Sequence, residues 1–309
     1  MRKVIGIGET VLDIIFKNNK PVEAVPGGST FNAAVSLGRA GDHITFISET
    51  GDDRVGTYVR QFLSSNNVAI ENVAVHPGSK TPLSLAFLDE SNDADYVFYR
   101  DPARDPAEFT FPPITADDIV IIGSFYAVAP ASRPQVAALL EQARQSGAII
   151  YYDVNYRPAH HGDIMKITPN LIDNLEYADI VRGSRDDFME LYRKDSAERV
   201  YRAETSFYCP RLIYTDGAHP LTVLSDGGFR KEYAVAPVDV VSTIGAGDNF
   251  NAGIVHALLK YDIRRADIER GLSETQWDNL IATASAFSAD CCRDIHNYIS
   301  KEFGKKQKQ

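Results

Sequence analysis

Short apolar runs alternate along the chain with segments whose apolar positions recur every three or four residues. Residues 4–7, 44–47, 119–122, 149–153, 180–181 and 212–215 carry no polar alternation and read as strands buried on both faces. Helical patterns fall between them over 31–39, 135–145, 248–259 and 276–288. A further helix runs through Leu63 with Asp53 as its N-cap, and Gly147 stops the helix that precedes it. Strand–helix alternation of this kind predicts an α/β fold with a mainly parallel sheet covered by helices on both sides. Two stretches break the rhythm. Residues 14–25 read as a hairpin turning at Asn18-Asn19-Lys20-Pro21, and 83–101 as two strands around Asp89-Glu90-Ser91-Asn92-Asp93. Having no helices of their own, these insertions are expected to form a small sheet that acts as a lid over the core.

Composition narrows the class. The chain has 309 residues, 44% hydrophobic and 24% charged, enough apolar material for a sizeable core, and is read as a single α/β domain over 1–309. The net charge is −10, and the only basic cluster is the tail Lys305-Lys306-Gln307-Lys308, which argues against a nucleic-acid partner. Three cysteines, Cys209, Cys291 and Cys292, form neither a zinc spacing nor a disulfide framework and fit a reducing cytoplasm. No run of eighteen apolar residues exists, so no membrane span is expected. The pair His160-His161 has no metal-ligand spacing around it.

Two familiar nucleotide motifs are missing. Gly6-Ile7-Gly8 follows a strand, but Val11 stands where a dinucleotide fingerprint needs its third glycine, and no phosphate-loop motif with G-K-[ST] occurs. The strongest local signal is Gly245-Ala246-Gly247-Asp248 ahead of an apolar helix. Small residues there allow close backbone approach, and the free amides and dipole at a helix start attract negative charge. A carboxylate beside such a cradle is what phosphoryl transfer to a hydroxyl requires, although an Asp in a first turn also serves as an ordinary cap. The dipole is expected to keep Asp248 ionised. Gly27-Gly28-Ser29-Thr30-Phe31-Asn32 opens another helix, with Ser29 or Thr30 as a plain cap and Asn32 able to offer a donor and an acceptor to a hydroxylated ligand. Asp13, after the first strand, is either a turn former or an acceptor for sugar hydroxyls.

These residues resemble the PfkB, ribokinase-like, carbohydrate kinases. Gly27, Gly28, Asn32, Gly38 and Gly51-Asp52 resemble the first family signature, and Ser242-Thr243-Ile244-Gly245-Ala246-Gly247-Asp248, with Phe250 and Gly253, resembles the second. Gly8-Glu9-Thr10-Val11-Leu12-Asp13 is similar to the family's N-terminal strand with its sugar-binding Asp. Asp153-Val154-Asn155-Tyr156-Arg157 looks like the D-x-N-x-R segment of fructokinases and ketodeoxygluconate kinases. The matches run in order over about residues 4–260.

The resemblance implies a ribokinase-like three-layer α/β core with a β-sheet lid, and a kinase using ATP and Mg²⁺. It implies Asp248 as catalytic base, Gly245, Ala246 and Gly247 as the anion hole, and Asp13, Gly27, Gly28 and Asn32 on the sugar. Tyr99, Arg100, Asn155 and Arg157 are further candidates on the substrate, while Ser184, Thr215 and Gly217 fall on the nucleotide side. Ser184-Arg185-Asp186-Asp187 stands where the family has N-x-x-E, which implies a water-mediated metal role for Asp187. Ser242 replaces an Asp tied to a monovalent-cation site in the family, which argues against potassium activation; Pro220 replaces a glycine of the nucleotide-side loop. Phe98-Tyr99-Arg100-Asp101-Pro102-Ala103 resembles the lid segment of fructokinases, so fructose is the expected acceptor and fructose 6-phosphate the product. A 2-keto-3-deoxygluconate kinase, a nucleoside kinase and a non-catalytic sugar-binding protein remain alternatives. The alternation in Tyr96-Val97-Phe98-Tyr99 puts aromatics on both faces of the lid, one closing the cleft and the other covered by a second copy, hence an expected homodimer.

Overall fold

In a computed structural model of the chain, residues 2–88, 94–101, 109–157 and 162–308 are described. The tip 89–93, the end of the lid segment at Pro102-Ala103 and the pair His160-His161 lie outside the described residues.

The chain opens with β1 (Val4–Ile7), which passes through Gly8-Glu9-Thr10 into β2 (Val11–Lys17) and its partner β3 (Lys20–Gly27). Next come α1 (Ser29–Ala40), β4 (Ile44–Gly51), α2 (Arg54–Ser65), β5 (Val68–Ala69) and β6 (Val73–His76). The second extended insertion is β7 (Leu83–Leu88) with β8 (Ala94–Tyr99). Alternation then resumes with β9 (Ile119–Gly123), α3 (Arg133–Ser146), β10 (Ile149–Asp153), α4 (Ile164–Tyr177), β11 (Ile180–Ser184), α5 (Arg185–Tyr192) and α6 (Ala197–Val200). An antiparallel series, β12 (Leu212–Asp216), β13 (His219–Ser225) and β14 (Phe229–Tyr233), precedes α7 (Ala246–Lys260), α8 (Arg265–Arg270), α9 (Glu274–Cys291) and α10 (Lys301–Gln307).

The large sheet runs β14-β13-β12-β11-β10-β9-β1-β4-β5, with β6 also paired to β4. From β12 to β5 the pairing is parallel; β13 and β14 close one edge antiparallel. Successive side chains on these strands point to opposite faces. Val4, Phe46, Ile121 and Tyr151 pack with α1, α7 and α9 on one side, whereas Ile5, Ile7, Val120, Ile122 and Tyr152 pack with α3 and α4 on the other. Three layers result, as expected. Asp53 does cap α2, accepting from the Gly56 amide at 2.8 Å, and Gly147 ends α3 in the left-handed conformation. Helix α7 begins at Ala246 rather than Asp248, because Gly245 takes a φ of 79° and is itself the N-cap.

The smaller sheet has the order β3-β2-β7-β8. Asn18 and Asn19 both have positive φ, 53° and 59°, between the paired Lys17 and Lys20, the geometry that matches the twist of a two-residue hairpin. Asp13 pairs with Ser84 and Ser84 with Phe98, which sets Asp13, Ser84, Tyr96 and Phe98 on one face. Tyr96 and Phe98 stack at 5.9 Å on that face. Leu83 pairs with Tyr99 and Leu85 with Val97 on the outer face, where Phe16 stacks on Phe87 at 4.9 Å. Among the described residues no helix is long and apolar enough to cross a membrane.

Candidate active site

Two helix starts converge at the carboxyl end of the parallel strands, where open α/β sheets bind ligands. Neither α1 nor α7 has a side-chain cap; their N-caps are Gly28 and Gly245. Asp248, in the first turn of α7, accepts from Ser29 Oγ at 2.7 Å and from Asn32 Nδ2 at 2.8 Å, both on α1. Ser29 therefore does not cap its own helix; it holds the carboxylate of another. Asn32 Oδ1 is buried and has no hydrogen-bond partner among the described residues. Asp248 is partly buried. Desolvation pushes its carboxyl up, against the hydrogen bonds from Asn32 and Ser29 and the charges of Arg157 and Arg182. The dipole argument had implied the opposite direction. Enclosure makes Asp248 a stronger base than an exposed Asp.

Beneath the lid, Asp13 is 7% exposed and accepts from Ser84 Oγ. Burial pushes its carboxyl up to about 7, opposed by the Ser84 hydrogen bond and reinforced by the charges of Glu9 and Asp248. Gly27 allows this packing, since a Cβ there would lie 2.3 Å from Asp13 Oδ2. Gly28 follows, φ 128°, where a Cβ would lie 2.4 Å from the Glu9 carbonyl oxygen. Arg100 Nη2 pairs with Glu9 Oε2 at 2.7 Å and its guanidinium lies over the Phe98 ring, on the cleft side of the lid. Tyr99 does not join them. It is 57% exposed on the outer face, because the Asp13–Ser84 register turns even-numbered β8 residues inward, and Tyr96 takes the inward aromatic position. Arg157 is near enough for its charge to act on both Tyr96 and Asp248. Asn155, with φ 35°, lines a recess with Ser124, Tyr152 and Leu171, and no hydrogen bond joins it to Asp13 or Asp248.

On the other side of the cradle formed by Gly245, Ala246 and Gly247 lie the ends of β11 and β12, where Ser184 and Thr215 are register partners. Gly217, φ 55°, turns the chain into β13 with open space around its Cα. Asp187 lies in the first turn of α5. Its Oδ2 accepts from Ser184 N and Oγ, both at 2.7 Å, and its Oδ1 from Tyr156 N at 2.7 Å. With Ser184 it forms the capping box of α5, and both oxygens are engaged. Among the described residues no group of three or more His, Cys, Asp or Glu is placed to hold a metal.

Four residues of this region escaped the sequence reading. Ser29 looked like a cap, and Tyr99 rather than Tyr96 was named as the lid aromatic on the substrate. Asn297 carried no motif; it is 1% exposed, with its carbonyl accepting from Asn249 Nδ2 at 2.9 Å beside Gly245. Arg182 did leave a signal, a lone cation inside the strand Ile180-Val181-Arg182-Gly183-Ser184.

An anion cradle, an enclosed carboxylate and a separate lid define a small-molecule phosphotransferase of ribokinase-like fold. The family model for "pfkB family carbohydrate kinase" matches residues 1–292, and the chain belongs to that family. It is 26% identical over 259 residues to a fructokinase of Salmonella typhimurium, covering 83% of this chain and 84% of that one. It is 27% identical over 274 residues to a 5-dehydro-2-deoxygluconokinase of Geobacillus thermodenitrificans, covering 82% and 80%. Among solved structures, a fructokinase of Vibrio cholerae with fructose, ADP and calcium bound superposes with a TM-score of 0.86 at 20% identity, over 100% of this chain and 99% of that one.

Proposed function

We propose that this carbohydrate kinase transfers the γ-phosphate of ATP to a primary hydroxyl of a ketohexose, converting fructose to fructose 6-phosphate. The observation that carries the reading is the Asp248 carboxylate, fixed by Ser29 and Asn32 at the uncapped start of α7. Asp248 takes the proton of the acceptor hydroxyl as the oxygen–phosphorus bond forms, and enclosure raises its basicity for that task. The free amides at Gly245, Ala246 and Gly247 face the charge that develops on the transferred group. Asp13 accepts from one sugar hydroxyl, and the unpartnered Asn32 Oδ1 accepts from another; Gly27 and Gly28 let the sugar approach their backbone. Arg100 and Arg157 close the sugar side, and Ser184, Thr215 and Gly217 border the nucleotide.

Among the described residues no group of carboxylates is placed to hold Mg²⁺ directly, and Asp187 accepts three hydrogen bonds from Ser184 and Tyr156. In this reading the ion arrives on the nucleotide phosphates, as a hard cation that retains water does. Potassium dependence is argued against by two side chains. Ser242 Oγ accepts from the Ile244 amide at 3.2 Å, and the Cys291 thiol lies 3.5 Å from Ile244 O and 3.7 Å from His296 O. Burial keeps that thiol protonated, so it donates where a cation would need bare carbonyls.

The outer face of the lid exposes Val22, Val97 and Tyr99, and a second copy of the same sheet is the proposed cover, giving a homodimer. A second substrate reading, a keto sugar acid, is favoured by the similarity to the 5-dehydro-2-deoxygluconokinase and by the two arginines at the sugar side. A coupled assay of ATP turnover over fructose, ketodeoxygluconate, 5-dehydro-2-deoxygluconate and adenosine tests the choice. Fructose is expected to give the highest kcat/KM; preference for a sugar acid or a nucleoside refutes it.

A further inference from the structure

Arg182 lies within β11 and is 8% exposed, with Ile180 and Val181 fully buried ahead of it. Nη1 donates to Asp153 Oδ1 at 2.9 Å and Nη2 to Thr215 Oγ1 at 2.7 Å. Asp153 is held in turn, its Oδ2 accepting from Asn251 Nδ2 at 2.8 Å, and Asn251 Oδ1 accepts from the Tyr151 hydroxyl at 2.8 Å. Side chains from β10, β12 and α7 thus pin one guanidinium in place.

Its donors are not exhausted. A guanidinium has five N–H groups. Nε is buried without a partner, and each terminal nitrogen makes a single bond among the described residues. The head group also abuts the cradle: a Cβ on Gly247 would lie 3.2 Å from both Nη1 and Nη2. An arginine kept only to neutralise Asp153 would need neither that approach nor the surplus of enclosed donors, which are costly to leave unmade. A planar fork with free N–H groups beside a phosphate cradle is suited to phosphoryl oxygens.

We propose that Arg182 is a phosphate-binding residue, whose fixed positive charge and open N–H groups take oxygens of the phosphate held at Gly245, Ala246 and Gly247. The inference rests on the kinase reading. No additional covalent step is involved: the charge of the transferred group is shared between the α7 amides and the guanidinium, while the acceptor proton goes to Asp248.

Arg182→Met alone strands Asp153 in the interior, so the decisive variant is Asp153→Asn/Arg182→Met, with Arg182→Lys beside it. Thermal unfolding establishes that each is folded. The double variant is expected to lose about 10²–10³ in kcat, the usual cost of removing one preorganised donor, with the fructose KM within about twofold of wild type. Its affinity for ADP, by calorimetry, is expected to fall about tenfold or more, one charge-assisted contact. Arg182→Lys keeps the charge but not the fork, and should recover about tenfold of the lost kcat. A folded double variant with kcat within about threefold of wild type overturns the proposal. So does a loss that Lys does not rescue and that raises the fructose KM, the mark of a structural role. If the double variant does not fold, Arg182→Lys decides alone: about tenfold lower kcat at unchanged fructose KM supports the assignment, and wild-type kcat overturns it. Should wild type turn over no acceptor in the panel, the kinase reading fails. The ADP titration then still judges Arg182, and equal affinity in wild type and double variant overturns it.

Discussion

Replacing Asp13 by Asn should make the unliganded protein more stable, and increasingly so as pH rises. Burial, with Glu9 and Asp248 adding repulsion and Ser84 opposing, moves the carboxyl from its ordinary 3.8 to about 7. Between these values the folded state keeps a proton that the unfolded chain has lost. Unfolding therefore becomes easier with rising pH, by about 1.4 kcal/mol per pH unit for this one group. The contribution is fully present below the unfolded value and is lost as pH rises through about 7. The full displacement corresponds to about 4 kcal/mol, an order-of-magnitude figure for a side chain 7% exposed. An amide can still accept the Ser84 hydroxyl but carries no charge to desolvate. In urea unfolding without sugar, the stability difference between Asp13→Asn and wild type should grow by about 3 kcal/mol from about pH 5 to about pH 8, then level off. Sugar binding, followed by calorimetry, should move the other way: wild type gains affinity as Asp13 ionises, and the variant is weaker and loses that pH dependence. A stability difference that stays constant across the pH range would refute the reasoning.

Asp248→Asn should lower kcat by about 10²–10⁴ while calorimetry finds sugar affinity within a few-fold of wild type; near-normal turnover would reduce Asp248 to a helix residue. Activity should be the same in potassium and tetramethylammonium buffers, because Ser242 offers no carboxylate and the Cys291 thiol donates to the Ile244 carbonyl; clear activation by potassium would contradict this. Tyr99→Asp should convert a dimer to monomers in sedimentation, since Tyr99 is on the exposed outer face of the lid. An unaltered dimer, or a monomeric wild type, rules that interface out.

Much of this architecture was legible in the order of residues. Buried parallel strands announce themselves as unbroken apolar runs, and Asn18-Asn19 sits where a tight hairpin needs positive φ. Gly245-Ala246-Gly247-Asp248 and Gly27-Gly28 through Asn32 marked two helix starts with small residues and polar side chains. That both starts meet was not legible. Ser29 and Asn32 reach Asp248 across 219 and 216 residues of chain, a contact made only by stacking α1 beside α7. The upward pKa shifts of Asp13 and Asp248 also belong to the tertiary level, because desolvation depends on what surrounds a carboxyl and not on its sequence neighbours. Asp187 illustrates the same limit: the family resemblance implied a water-mediated metal role, whereas its bond from the Tyr156 amide, 31 residues away, is made only in the fold. In the lid, alternation divided Tyr96 and Phe98 from Val97 and Tyr99. A period of two separates faces without naming the inner one, and the pairing of Ser84 with Asp13 on one side and Phe98 on the other made that choice.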